Sequence, residues 1–112
     1  MRFSHIYDVT RESLIVTNKR VPTIHDARYI KLVELLSEYR IRNNISQLTL
    51  ASKLKLSQPD VSKVERFVRR IDVLEFFDWV NALAALSKND PKEILNDIYV
   101  NTAKSRDSQG AA

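Results

Sequence analysis

The sequence contains no cysteine, one glycine, three prolines and two histidines among its 112 residues. Without cysteine the chain has no disulfide framework and no thiol nucleophile, and a reducing compartment is compatible with it. The lone glycine, Gly110, excludes the glycine-rich loops that hold phosphates in nucleotide-binding enzymes. His5 and His25 do not lie at metal-ligand spacing. We therefore expect no metal, no cofactor and no enzymatic activity.

Long apolar runs are also missing. No stretch approaches the roughly 20 apolar residues that span a bilayer, and the first residues are too polar for a secretory signal. We therefore expect no membrane contact and a cytoplasmic location. Hydrophobic residues nevertheless make up 44% of the chain, including one tryptophan, four tyrosines and four phenylalanines. This composition favours one small folded domain over a disordered chain.

Charge is distributed unevenly along the chain, whose formal net charge is +4. Residues 46–71 carry six basic and two acidic side chains, whereas residues 72–101 carry two basic and six acidic ones. This division favours one surface that faces a polyanion and another that is turned away from it. An ordinary solvated surface would explain the same counts equally well.

Residues 45–66 have the pattern of two short helices joined by a tight turn, over about 47–54 and 58–66. Ser46 and Ser57 are placed as N-caps, whose side-chain oxygens accept a backbone N–H at a helix start. An apolar residue just before each cap is placed to pack against one in the first turn. The inward-facing residues are predicted to be Leu50, Ala51, Leu54, Val61 and Val64.

Three further helices are predicted around this pair. From Thr23, apolar side chains recur at three- and four-residue steps as far as Tyr39, and Asn43–Asn44 offers a left-handed stop. The predicted fold class is therefore all-α, with five helices in an orthogonal bundle. Two of the helices have their own start signals, a capping box and a proline at the first helical position: Asp72 with Glu75, and Asp90 with Pro91.

The predicted organisation has three parts. Residues 1–22 are expected to form an extended arm or short hairpin, because they are partly β-branched and end at Pro22, which stops a helix. Residues 23–101 form the helical domain. Residues 102–112 are polar and small, and we expect them to be a flexible C-terminal tail.

The helix pair and its flanks together form a recognisable pattern over residues 23–100. It resembles the phage-repressor/Cro-like, or xenobiotic-response-element, family of helix-turn-helix transcriptional regulators, and the resemblance implies a lambda-repressor-like DNA-binding domain. The residues that carry it are Ser46–Gln47, Leu50–Ala51, Leu54, Leu56–Ser57–Gln58, Val61–Ser62–Lys63–Val64–Glu65–Arg66 and Arg69–Arg70–Ile71–Asp72–Val73, with Thr23–Ile24–His25, Arg28–Tyr29, Glu75–Phe76 and Asp90–Pro91 in the flanks.

Two positions depart from the family pattern. Members usually have glycine in the turn between the two helices and again after the second helix, where this chain has Lys55 and Phe67. A left-handed Lys55 would cost roughly 1 kcal/mol relative to glycine. Phe67 could instead let the second helix run on, which would shift the basic loop behind it.

The resemblance implies that the second helix enters the major groove with its N-terminal end toward the bases. Gln58 is the first choice for base readout, because its amide can pair bidentately with adenine N6 and N7. Lys63 could donate to guanine or, equally well, to phosphate. Ser62 could contact a base edge, and Pro59 a thymine methyl. The carboxylate of Asp60 is assigned to the helix start in preference to a cytosine contact.

Phosphate contacts would supply affinity without sequence information. Gln47, at the start of the first motif helix, is expected to bind phosphate through its side chain and the adjacent backbone N–H groups. Glu65 is expected to be structural, holding an arginine such as Arg40. The other phosphate candidates are Ser57, Lys53, Lys55, Arg66, Arg69 and Arg70.

A single domain of this kind reads only a few base pairs. A symmetric homodimer would place its two reading helices about 34–36 Å apart on an inverted repeat of double-stranded DNA. We expect a nucleoid-associated transcriptional regulator, a repressor in preference to an activator. The alternative is an antitoxin or a phage or plasmid accessory protein that acts through a protein partner such as a toxin. The candidate dimer residues are Phe77, Leu86, Ile98 and Tyr99.

Overall fold

The computed structural model describes residues 22–111, and side chains as far as residue 104. The predicted arm therefore lies outside the described residues, apart from Pro22. The described residues confirm the all-α class, and none of their helices is long and apolar enough to cross a bilayer. After a single 3₁₀ turn at Thr23–His25, the α-helices are α1 (Ala27–Arg42), α2 (Gln47–Leu54), α3 (Gln58–Glu65), α4 (Val73–Ser87) and α5 (Pro91–Ala111).

The predicted caps are present at four helix starts, including that of α5, where Asp90 Oδ1 accepts the backbone N–H of Lys92 at 2.9 Å. Ser46 Oγ accepts the backbone N–H of Thr49 at 3.0 Å and so begins α2. Capping boxes begin α3 and α4. In each box the N-cap side chain accepts the backbone N–H of the residue three positions later, whose side chain accepts the N-cap's backbone N–H in return. These contacts satisfy backbone donors that have no partner within the helix. The two boxes are Ser57 with Asp60, and Asp72 with Glu75.

Lys55 and Phe67, the two positions where the resembled family usually has glycine, are both left-handed. Lys55 has a φ of 61° and Phe67 a φ of 64°. The prediction that Phe67 lets the helix run on is wrong, because α3 ends at Glu65 and Arg66 is its C-cap. The Val68 N–H closes the helix end on the carbonyl of Lys63 at 2.8 Å, and the Phe67 ring packs against the core. This bond and this packing offset the backbone cost of the turn.

The core lies where α1, α2, α3 and α4 meet, and α5 covers it. Trp79 on α4 and Leu50 on α2 are almost completely buried. Ile98 is also in the core, only 4% exposed, so its prediction as a dimer residue is wrong. It lies one helical turn after Ile94, on the side of α5 that faces the bundle. The other large side chains that are almost completely buried are Val33, Val61, Val64, Val80 and Leu83.

The last helix is longer than the sequence predicted. It packs mainly on α1 and continues to Ala111, so the predicted end of the helical domain at residue 101 is corrected. The segment 102–109 contains neither proline nor glycine, and the only glycine is Gly110. That segment therefore has no helix-breaking residue, and the backbone hydrogen bonds of α5 can continue through it.

Candidate nucleic-acid interface

Helix α3 has one buried side and one polar side. Val61 and Val64 are buried in the core. The opposite side, which we call the α3 polar face, brings together all four residues predicted for base readout. Its members are Gln58, Pro59, Lys63 and Arg66, which are exposed, and Ser62, which is half-buried. Several pairs within this set are three, four or seven residues apart, for example Gln58 with Ser62 and Pro59 with Arg66, so the set shares one side of the helix.

The side chain of Gln58 is not isolated. Its Nε2 donates to Oε1 of Gln47 at 2.8 Å, and Nε2 of Gln47 donates to Oε1 of Glu65 at 2.8 Å. We call this chain of three side chains the amide relay. Gln47 was predicted to bind phosphate. In the structure its side-chain amide instead connects Gln58, the first residue of α3, with Glu65, the last. The relay fixes the position of Gln58 at the exposed start of α3.

The far end of the relay is an ion pair with little solvent access. Arg40 on α1 donates from Nε to Oε2 of Glu65 at 2.8 Å and from Nη2 to Oε1 at 2.9 Å. Its Nη1 donates to the carbonyl of Ile45 at 2.8 Å. The two side chains are 11% and 10% exposed. The prediction that Glu65 holds Arg40 is confirmed, and the pair ties α1 to the end of α3.

Asp60 has the structural role predicted for it. Its Oδ2 accepts the backbone N–H of Ser57 at 3.0 Å, and this bond lowers the pKa of the Asp60 carboxyl below its ordinary value of 3.8. The Ser57 hydroxyl, a predicted phosphate contact, accepts the Asp60 N–H in return and also bonds the Asp60 carboxyl, which lowers the same pKa further. The carboxylate therefore stabilises the start of α3.

The lowered pKa of Asp60 predicts a pH-dependent contribution to stability. The contribution is present above pH 3.8, the unfolded value, and is lost as the pH falls through the lower folded-state pKa. We expect wild type to be more stable than Asp60→Asn at pH 7, and the difference to shrink below pH 3.8. Thermal melts of both proteins from pH 7 to pH 2.5 check this. A difference that is independent of pH would contradict it.

The predicted phosphate-binding cations fall into two groups. Arg69 is engaged elsewhere: its Nη2 donates to Oε2 of Glu75 at 2.6 Å, which raises the pKa of the guanidinium and ties the basic loop to α4. This favours a structural role for Arg69. Arg66 lies on the α3 polar face, where its Nε donates to Oγ of Ser62 at 3.0 Å. The other predicted phosphate-binding cations, which are exposed, are Lys53, Lys55 and Arg70, and the base-readout candidate Lys63 is exposed as well.

The remaining dimer candidates differ in exposure. Leu86 is partly buried against the core, whereas Tyr99 is 74% exposed. Phe77 is 46% exposed and lies beside Val73 and Leu74 on the first turn of α4, which are 66% and 70% exposed. We call Val73, Leu74 and Phe77 the α4 apolar patch. Neighbouring exposed apolar side chains of this kind are typical of a contact surface.

The bond between the two glutamines was not predicted from the sequence. A signal for it does exist, because Gln47 and Gln58 are each the first residue of a short helix. The capped helices place these two first turns next to each other. A buried bond from the Ile71 N–H to the Tyr29 hydroxyl, 3.1 Å long, was also missed, and it joins the basic loop to α1.

No protein-family model matches this chain, and no curated protein matches it. Function is therefore inferred from the residues and their geometry.

Proposed function

We propose that this protein is a non-enzymatic transcriptional regulator that binds double-stranded DNA sequence-specifically, with a lambda-repressor-like arrangement of its five helices. The observation that carries the proposal is the start of α3, where the exposed amide of Gln58 is held by Gln47. An exposed helix N-terminus with a fixed amide is suited to reading base edges in the major groove.

The α3 polar face would supply the base contacts. One N–H and the oxygen of Gln58 remain after its bond to Gln47, and together they complement N7 and N6 of adenine. Lys63 follows on the same side, within reach of a guanine or a phosphate. Pro59 presents an apolar ring beside Gln58, suited to a thymine methyl.

The exposed cations around α3 would bind the DNA backbone. Lys53 and Lys55 lie at the end of α2, and Arg70 lies in the loop after α3. Phosphate contacts of this kind supply affinity and fix orientation without reading sequence. Among the described residues, no exposed acidic side chain lies on α2 or α3, which supports DNA approaching from the side of α3. The exposed acidic side chains lie elsewhere and are Glu34, Glu38, Asp72, Asp78, Asp90, Glu93 and Asp97.

Selection of bound sequences from a random duplex pool, followed by a salt titration, tests this function. We expect one enriched motif and a logarithmic affinity that falls linearly with the logarithm of salt concentration, by roughly 0.9 per neutralised phosphate. No enriched motif, or binding without a salt slope, would contradict the proposal.

The α4 apolar patch favours the second candidate, an antitoxin or accessory protein that binds another protein. Acting only in that way, the chain would have no DNA affinity even at low salt.

A homodimer on an inverted repeat is the form we propose for the DNA-bound protein. The α4 apolar patch is the surface that favours self-association, and Phe77→Lys places a charge in it. We expect sedimentation to show a wild-type dimer at micromolar concentration on the selected duplex and a monomer for Phe77→Lys. Leu48→Lys, which alters an exposed apolar residue on α2, is the control. A wild-type monomer both with and without DNA would contradict the dimer.

A further inference from the structure

Glu65 lies at the opposite end of α3 from Gln58, yet the amide relay connects them. We propose that Glu65 determines the hydrogen-bond polarity of Gln58 and so makes it selective for adenine. Glu65 is thus a positioning residue that affects which base Gln58 prefers without itself contacting a base. The inference rests on the proposed function, since it concerns how the same site discriminates between bases.

The polarity follows from the chemistry of the carboxylate. An ionised carboxylate only accepts hydrogen bonds, and both oxygens of Glu65 accept N–H groups of Arg40. Gln47 must therefore turn its Nε2 toward Glu65 and its Oε1 toward Gln58. Gln58 must in turn donate from its own Nε2. One carboxylate thus sets the orientation of two amides that could otherwise rotate by half a turn.

This orientation limits what Gln58 offers to the groove. One N–H of its amide is used by Gln47, so a single donor and the Oε1 acceptor remain, in a fixed order. Adenine offers the matching acceptor N7 and donor N6. A C·G pair, with cytosine in place of the adenine, presents the opposite order, the N4 donor before the O6 acceptor of guanine, and an amide free to flip would match it too. Fixed polarity therefore excludes a competing base pair.

The solvent access of the relay supports this role. Glu65 is 10% exposed on its side chain, and Gln47 is half-buried, so water competes weakly for their bonds. Of the three relay residues, only Gln58 is exposed. The residue that sets the hydrogen-bond polarity, Glu65, is thus shielded from water, whereas the residue that would contact the base, Gln58, is exposed. Among the described residues, the ion pair of Arg69 with Glu75 offers a matched contact outside the relay.

The test compares Glu65→Gln with Glu75→Gln. Both exchange a carboxylate paired with arginine for a near-isosteric amide, but only Glu65→Gln lets the relay reverse. The measurement is a ratio of two affinities. One is for the selected duplex, and the other is for duplexes in which the A·T pair contacted by Gln58 is replaced by another base pair. We expect wild type and Glu75→Gln to discriminate roughly ten- to a hundredfold. Glu65→Gln should discriminate less than about threefold on the same scale.

A second variant protects the test against loss of folding. Gln47→Met removes the relay but leaves the Arg40–Glu65 pair in place, and we expect the same loss of discrimination. Retained discrimination in Gln47→Met, or in folded Glu65→Gln, would overturn the inference alone. Equal losses in Glu65→Gln and Glu75→Gln would overturn it too. Wild type that binds no duplex would overturn the proposed function, and this inference with it.

Discussion

Arg40→Met lowers the free energy of unfolding by about 3–5 kcal/mol, the largest stability loss we expect from a polar substitution here. The change leaves the Glu65 carboxylate without its cation in a site where that side chain is only 10% exposed. It also removes the donor to the carbonyl of Ile45. Chemical denaturation, with the midpoint and slope compared with those of wild type, measures the loss.

Arg28→Met is the matched control. Arg28 also pairs with a carboxylate, Asp26, at 2.8 Å, but its side chain is 44% exposed. Solvent screens such a pair, so little change in stability is expected. If Arg40→Met were no more destabilising than Arg28→Met, the ion pair of Arg40 with Glu65 would not be the structural link between α1 and α3 described above.

Gln58→Ala has the largest expected effect on DNA recognition. Removing the amide should cost about 1–3 kcal/mol at one position in each half-site and relax the sequence preference there. The fold should be unaffected, because Gln58 is exposed. Binding to the selected duplex and to its single-base-pair variants measures both the affinity and the preference.

Lys55→Ala is the control for Gln58→Ala. Lys55 is exposed at the end of α2, and we expect its loss to weaken binding to every sequence alike and to reduce the salt slope by about one contact. A change of sequence preference in Lys55→Ala would show that it reads a base. An unchanged preference in Gln58→Ala would remove Gln58 from base readout.

Features governed by short-range chemistry were predictable from the sequence. The caps of Ser46, Ser57 and Asp72 depend on residues three positions apart, so the chain order itself specifies them. The periodic apolar residues likewise identified the buried sides of α2 and α3. The ion pair of Glu65 with Arg40 was predicted through the resemblance, which supplied the long-range proximity.

Features decided by tertiary packing were not predictable in the same way. Phe67 is left-handed because its ring packs on the core, which outweighs the local preference against that conformation. An apolar residue such as Ile98 suits a core and an interface equally well, so only the packing of α5 on the bundle shows that Ile98 belongs to the core. The amide relay required two helix starts to lie side by side, and the capping pattern locates those starts along the chain without bringing them together in space.

Amide chemical-shift mapping of the isotope-labelled protein with the selected duplex tests most directly whether α3 is the DNA-reading element. We predict the largest changes at Gln47, over Lys55–Lys63 and at the side-chain amide of Gln58, with small changes across α4 and α5. Changes confined to α4 and α5, or none at saturating duplex, would contradict the account.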